Sequence, residues 1–238
     1  MLSLITGTRN RPAGLKRLID SVIRHTSVSY EFLIGDASDQ PQRLDVPPNI
    51  VIWPEKPRLG HSRGYNRLFR LAQGDYLLWL NDDAEVTEGY AENALRFMTS
   101  HPRIGLGCLH YSEPSNGLPY HWNSAWECGY ANFGIFPRQL GQQVGFFDED
   151  IYMYGADNSL ALRILLAGYG IGDIPDAKII HHSDNDELRK ENQAGRIQDN
   201  RILTKKYMPT MKQWQAAYRL YGRESTPPWS HGRQPVAR

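Results

Sequence analysis

From Leu2 to His110, short apolar runs alternate with segments of helical period, which limits the chain to an α/β design with a mainly parallel sheet flanked by helices. Leu2 to Thr6, "YEFLIG" from Tyr30, "NIVIWP" from Asn49, Tyr76 to Leu80 and "IGLGCLH" from Ile104 read as strands. Between them, Leu15, Leu18, Ile19, Val22 and Ile23 recur at helical spacing behind Pro12. "GHSRGYNRLFRLAQG" predicts a second helix stopped at Gly74, and "GYAENALRFMTSH" a third. In such sheets ligands gather where the strands end. Three strands here end on polar groups: Gly7 to Arg11, Asp36 to Asp39, and Asn81 to Asp83. In "GDYLLWLNDDAEV" a buried strand runs directly into two carboxylates, a pattern that also suits a turn or a helix cap. Facing a phosphate site, two such acids suit Mg²⁺ or Mn²⁺, which take oxygen ligands and complete their shells with phosphate and water.

Beyond Tyr111 the alternation lapses. "YSEPSNGLPYHWNSAWECGYANFG" reads as a long loop, and its aromatic residues point to an acceptor-binding insertion. Asp157 then opens a helix behind an aromatic, Gly-containing loop, which suits either an N-cap or a reactive acid. A strand "AKIIHH" follows, and Glu187 to Tyr221 reads as helical with a break at Pro209. The organisation expected for the 238 residues is one domain over 1–186, a helical extension over 187–221, and a flexible tail over 222–238.

Composition removes several classes of partner. With 27 Lys and Arg against 26 Asp and Glu, the formal charge of +1 draws the chain to no nucleic acid. Two cysteines make neither a disulfide framework nor a zinc site. No run approaches a membrane span and "MLSLIT" is too short for a signal core, so a cytoplasmic protein is expected. Basic and aromatic residues share "LTKKYMPTMKQWQAAYRLY", from which peripheral contact with an anionic membrane is an expectation.

Five ordered segments carry a family resemblance. "LSLITGTRNRP", "LIGDASDQ", "LWLNDDAEV", "VGFFDEDIYMYGADNSLALRILLAGY" and "PDAKIIHH" together resemble the family 2 glycosyltransferases of the GT-A fold across roughly residues 2–183. The resemblance implies a Rossmann-like sheet and an inverting, metal-dependent transfer of sugar from a nucleoside diphosphate, a UDP-sugar first, to a hydroxyl of a glycan or lipid-linked acceptor. By it, Thr8, Arg9, Asp36 and Asp82 would hold the donor, joined by Arg63 and Asn66 from the second helix. Asp83 and His181 would hold the divalent metal, Mn²⁺ or Mg²⁺, with His182 as the alternate, since a one-residue shift in a strand reverses its face. Asp157 would be the general base.

The chain departs from the family pattern at Arg9, where an aromatic residue is usual, at Gly35, which replaces the first acid of a pair, and at Ala156 and Ser159 beside Asp157. These departures leave room for a noncatalytic sugar-nucleotide or glycan-binding protein on the same fold. Paired aspartates after a strand also suit a metal-dependent phosphohydrolase.

Overall fold

The structure, a computed structural model, describes residues 1–183, 187–221 and 229–230. Strands β1 (Leu2–Thr8), β2 (Tyr30–Asp36), β3 (Ile50–Pro54), β4 (Tyr76–Trp79), β5 (Ala84–Val86) and β6 (Ile104–Glu113) alternate with helices α1 (Pro12–His25), α2 (His61–Leu71) and α3 (Tyr90–Ser100). Strands β7 (Leu118–His121), β8 (Asn123–Ala125), β9 (Cys128–Tyr130) and β10 (Gly134–Pro137) follow, then α4 (Arg138–Val144), α5 (Ala156–Leu166) and β11 (Gly170–His181). The chain continues through α6 (Glu187–Gln193), α7 (Arg196–Tyr207), α8 (Met211–Tyr221) and the two-residue β12 (Trp229–Ser230).

The main sheet runs β3-β2-β1-β4-β10-β6-β11-β5, with β7 paired to β6. Pairs β1–β2, β2–β3, β1–β4 and β6–β11 are parallel, while β10 inserts antiparallel between β4 and β6. β2 and β3 extend to one side of β1, whereas β4 returns on the other. The reversal opens a crevice between the carboxyl ends of β1 and β4, the place where open α/β sheets bind ligands.

Side-chain alternation along the strands divides the core. Ile5, Leu77 and Trp79 pack with Leu68 and Phe69 of α2, Leu160 and Ile164 of α5, and Trp214 of α8. Leu4, Leu78 and Leu80 face the other way, onto Leu15 and Leu18 of α1 and Tyr90 and Ala94 of α3. Pro12 begins α1 as its sequence position predicts. Ile23, read from periodicity as part of the inward face, is instead 44% exposed, and Ser21 takes an inward position, where its Oγ accepts the Val86 N–H. The second helix ends at Leu71, short of Gly74. The glycine serves close packing, because a Cβ there would stand 2.6 Å from the Ser3 nitrogen.

The segment read as a long loop begins with the last residues of β6, forms a turn of 3-10 helix at Pro114–Asn116 and three short strands, β7 to β9, and ends where β10 starts at Gly134. Its Trp122, Cys128, Tyr130 and Phe133 are buried. Strands of three or four residues are too short to show a period, and their Pro and Gly neighbours read as turns.

The C-terminal helices share the core of the sheet. Leu203, Tyr207, Trp214 and Tyr218 pack in the cluster that contains Trp79 and Phe147. A 3-10 turn over Met208–Thr210 accommodates Pro209 between α7 and α8. The aromatic half of this basic segment therefore faces inward, leaving Lys205, Lys212 and Arg219 exposed. Among the described residues no helix is long and apolar enough to cross a membrane. The tail expected over 222–238 lies outside the described residues apart from β12.

Candidate active site

A cavity of about 670 Å³ opens at the crevice between β1 and β4. Its wall includes Thr8, Arg9, Asp82, Asp83, Asp157 and His181, all singled out from the sequence. Three other expected donor residues lie off this wall. Asp36 is fully buried beneath it, where its carboxylate accepts the N–H groups of Ser38 at 2.9 Å and Gln42 at 2.7 Å. Asn66 is also fully buried and ties α2 to the 147–149 segment, accepting the Phe147 N–H at 2.9 Å and donating to the Phe147 carbonyl at 2.8 Å. Arg63 points outward and donates to the Glu149 carbonyl at 3.3 Å.

At the sheet end of the cavity the carboxylates are tightly engaged. Asp82 accepts from Thr8 Oγ1 at 2.8 Å and from Arg11 Nη1 at 3.0 Å. The same Arg11 nitrogen lies 3.2 Å from Asp83 Oδ2. Burial, with the charge of Asp83, raises the Asp82 pKa. Burial would raise Asp83 as well, but the neighbouring His181 and Arg11 outweigh it and keep the group ionised.

His181 stands opposite Ala84 in the antiparallel pairing of β11 with β5, so its ring reaches the carboxylate next in line. Its Nε2 lies 3.2 Å from Asp83 Oδ1 and its Nδ1 3.0 Å from Glu113 Oε1. Burial works against the imidazolium, yet the two carboxylates raise its pKa to about 9. His182 faces elsewhere and pairs with Glu85 at 3.0 Å, as strand alternation requires. Glu113 gave no signal in the sequence, because its meaning depends on β11 lying beside β6. Burial disfavours its charge, but hydrogen bonds from His181 and Asn116 bring its pKa down to about 2.

Asp83 Oδ1 is buried and makes no well-aligned hydrogen bond among the described residues, although it faces His181 Nε2 at 3.2 Å. No group of three or more His, Cys, Asp or Glu side chains forms a metal cage among those residues. That oxygen, held by the charge of the imidazolium and not by a well-aligned bond, fits a hard cation, which would displace the His181 proton and draw its remaining ligands from phosphate and water. Asp83 and His181 are the residues that would hold it.

Asp157 sits in the first turn of α5, where its Oδ1 accepts the N–H of Asn158 at 2.9 Å. Burial lifts its pKa to about 6, partly offset by backbone N–H groups at the helix start. The loop before it is clamped from α7, since Asp199 accepts the N–H groups of Tyr152, Met153 and Tyr154 at 2.9, 3.0 and 2.9 Å. Three backbone donors on one carboxylate hold the entry to α5 in place. Around Asp157 the cavity wall carries Asn123, Trp126, Tyr130 and Asn132 from the short-strand segment. Across the opening, Arg9 and Arg58 converge on Glu191 of α6 at 2.7 and 2.9 Å.

This architecture, with paired acids at the β4 exit and an acid-bearing helix across the crevice, is that of a GT-A glycosyltransferase. Glycosyl transferase family 2 matches residues 3–157, more than half of the chain, and the protein belongs to that family. It is 26% identical over 203 residues to YwdF, an uncharacterized glycosyltransferase of Bacillus subtilis (strain 168), covering 76% of this chain and 73% of that protein. Over 222 residues it is 24% identical to the O-antigen biosynthesis protein RfbC of Myxococcus xanthus, covering 76% of this chain but 17% of the larger one. Among solved structures, the mannosyltransferase PcManGT of Pyrobaculum calidifontis, in complex with GDP-Man and Mn²⁺, superposes with a TM-score of 0.63 at 20% identity, over 80% of this chain and 59% of that one. TarS 1-349 of S. aureus, in complex with UDP-GlcNAc, gives 0.64 at 15% identity, over 78% and 59%. At such identities the structural likeness is one of fold.

Proposed function

We propose that this glycosyltransferase takes its sugar from a nucleoside diphosphate and passes it, with inversion, to a hydroxyl of a glycan acceptor. The observation that carries this reading is the Asp83 oxygen, which has no well-aligned hydrogen bond and faces His181, in a cavity that also holds Asp157. A divalent cation bound there would stabilise the charge that grows on the leaving diphosphate. Asp83 and His181 hold that end of the site, and Arg11 adds a fixed positive charge beside it.

Asp157 supplies the other half. Among the carboxylates on the cavity wall, Asp82 is engaged by Thr8 and Arg11, Asp83 by Arg11 and His181, and Glu113 by His181, while Glu55 stands at the far end of the cavity beyond β3. Asp157 accepts only a backbone N–H of its own helix, so it has capacity for an acceptor hydroxyl. In a single displacement the acceptor oxygen bonds to the anomeric carbon as the bond to the diphosphate breaks, and the hydroxyl proton passes to Asp157. The configuration inverts because attack and departure occur on opposite faces. The relatives named above support the donor class, through GDP-Man and UDP-GlcNAc in the solved structures, and a glycan acceptor, through O-antigen biosynthesis.

A screen of nucleoside diphosphate sugars with Mn²⁺, read as release of nucleoside diphosphate with and without glycan acceptors, tests the proposal. Turnover of at least one donor, with an anomer opposite to the donor's in the product, is the expected result. Retention of configuration, or release of inorganic phosphate in place of sugar transfer, would overturn it.

A further inference from the structure

At the end of the cavity away from Asp83 stands Glu55, the first residue beyond β3 and 8% exposed. Its Oε1 accepts the Leu59 N–H at 2.8 Å, while no donor is recorded for Oε2 among the described residues. Two glycines leave room for that oxygen. A Cβ on Gly64 would stand 2.7 Å from Oε2, so any side chain there would displace the carboxylate. A Cβ on Gly35 would stand 3.5 Å from the same atom, at ordinary contact distance.

Gly35 is the position where the family pattern has the first acid of its pair. In the parallel register Gly35 lies beside Trp53 and Asp36 beside Pro54, and the Glu55 N–H donates to the Asp36 carbonyl at 2.7 Å. The acid missing from the β2 exit is therefore replaced by one from the β3 exit, delivered to the same place. From Asp82 at the end of β4, past β1 and β2, to Glu55 at the end of β3 is three strand spacings, about 14 Å. That is the reach of an extended nucleoside diphosphate with its phosphates at Asp83.

We propose that Glu55 reads the nucleobase of the donor, its Oε2 accepting a hydrogen bond from a ring N–H. The assignment rests on the nucleotide-sugar reading above and narrows it. Uracil and guanine carry such an N–H at the centre of their pairing edge. Cytosine and adenine present a lone pair at the same position, which a carboxylate repels. A site built to accept a hydrogen bond rejects the analogue that lacks the donor, because the buried acceptor is then left unpaired. Burial raises the Glu55 pKa, an effect that the Leu59 N–H and the charges of Arg67 and Arg58 only partly offset.

The test is calorimetric titration of the full chain with UDP, GDP, CDP and ADP in Mn²⁺, for wild type, Glu55→Gln and the double variant Gly35→Asp with Glu55→Gln. Wild type should bind UDP or GDP at least about tenfold more tightly than CDP and ADP. Glu55→Gln keeps an acceptor for the Leu59 N–H and should fold normally, yet its preference should collapse to within about threefold. The double variant returns an acid to the family position and should restore the preference, a rescue that a purely structural role for Glu55 would not produce. An unchanged preference in Glu55→Gln, or an equal loss for all four nucleotides, overturns the role of Glu55 and leaves the donor class standing. Wild type that binds none of the four overturns the donor class and this assignment together.

Discussion

Thr8 Oγ1 donates a 2.8 Å hydrogen bond to Asp82 Oδ2, fastening the exit of β1 to the exit of β4 across the crevice. Both residues are almost fully buried at the cavity wall, so loss of the donor leaves Asp82 one partner short. Thr8→Val keeps the shape and removes the donor. The expected cost is about 1–2 kcal/mol of unfolding free energy, read from the urea midpoint at constant slope. A variant as stable as wild type would show that the bond does not hold the two exits together.

Asp83→Asn should abolish the Mn²⁺-dependent part of nucleoside diphosphate binding while leaving the fold intact. Arg11 keeps Asp82 at 3.0 Å and His181 keeps Glu113 at 3.0 Å, so neither cation is left without a carboxylate. Titration with and without Mn²⁺ checks the result. An affinity that still rises with Mn²⁺ as in wild type would remove Asp83 as a ligand.

Asp157→Asn should retain donor binding and lose on the order of 10²–10⁴-fold in transfer. A base must be unprotonated, and burial puts the Asp157 pKa at about 6. Wild-type kcat/KM should therefore fall roughly tenfold per pH unit below about pH 6 through this group. The N-cap of α5 is Gly155; if Asp157 served only to hold the first helical turn, the Asn variant would stay active, because its amide oxygen still accepts the Asn158 N–H.

The same substitution should stabilise the protein at neutral pH. The folded-state pKa of about 6 lies above the ordinary 3.8, so the folded chain holds this proton more tightly than the unfolded chain. Below about pH 4 both states are protonated and the site costs nothing, whereas above about pH 6 the buried charge costs up to about 3 kcal/mol. Thermal melts across that range should show a gain in Tm for Asp157→Asn above pH 6 that shrinks towards pH 4. A gain independent of pH would refute burial of the charge as its source.

Asp199 acts on the site from a distance by holding the 152–154 backbone ahead of α5. Asp199→Ala should cost about 2–4 kcal/mol, since three part-buried N–H groups lose a buried acceptor. Because the freed loop leads into Asp157, kcat should fall more than donor affinity. A normal kcat in a destabilised variant would confine Asp199 to stability.

The strands and helices up to β6 were legible from the sequence because their signals are local. An apolar run, a helical period, or a proline at a helix start needs no knowledge of distant chain. Polar residues at strand exits were legible for the same reason, which is why Asp82 and Asp83 stood out; the motifs shared with the family added Thr8 and His181, and all four line one cavity. Asp36, at the β2 exit, and Asn66, named through the family resemblance, are bonded within the scaffold, chiefly to backbone groups that no local pattern reveals. Glu55, Glu113, Glu191 and Asp199 were invisible as site residues. Each is an ordinary acid until β3 lies beside β2, β11 beside β6, α6 beneath two arginines, or α7 against the loop before α5.

The sequence by itself determined the alternating α/β design, the polar strand exits, and the carboxylates at 82, 83 and 157, since each is encoded by neighbours within a few residues. The tertiary structure alone decided that β10 inserts antiparallel between β4 and β6, that His181 and not His182 meets Asp83, and that Glu55 fills the space beside Gly35. These outcomes depend on sheet order and register. Hydrogen bonding between residues tens of positions apart, with the burial of both sheet faces, sets that order, and no short window of sequence contains both partners.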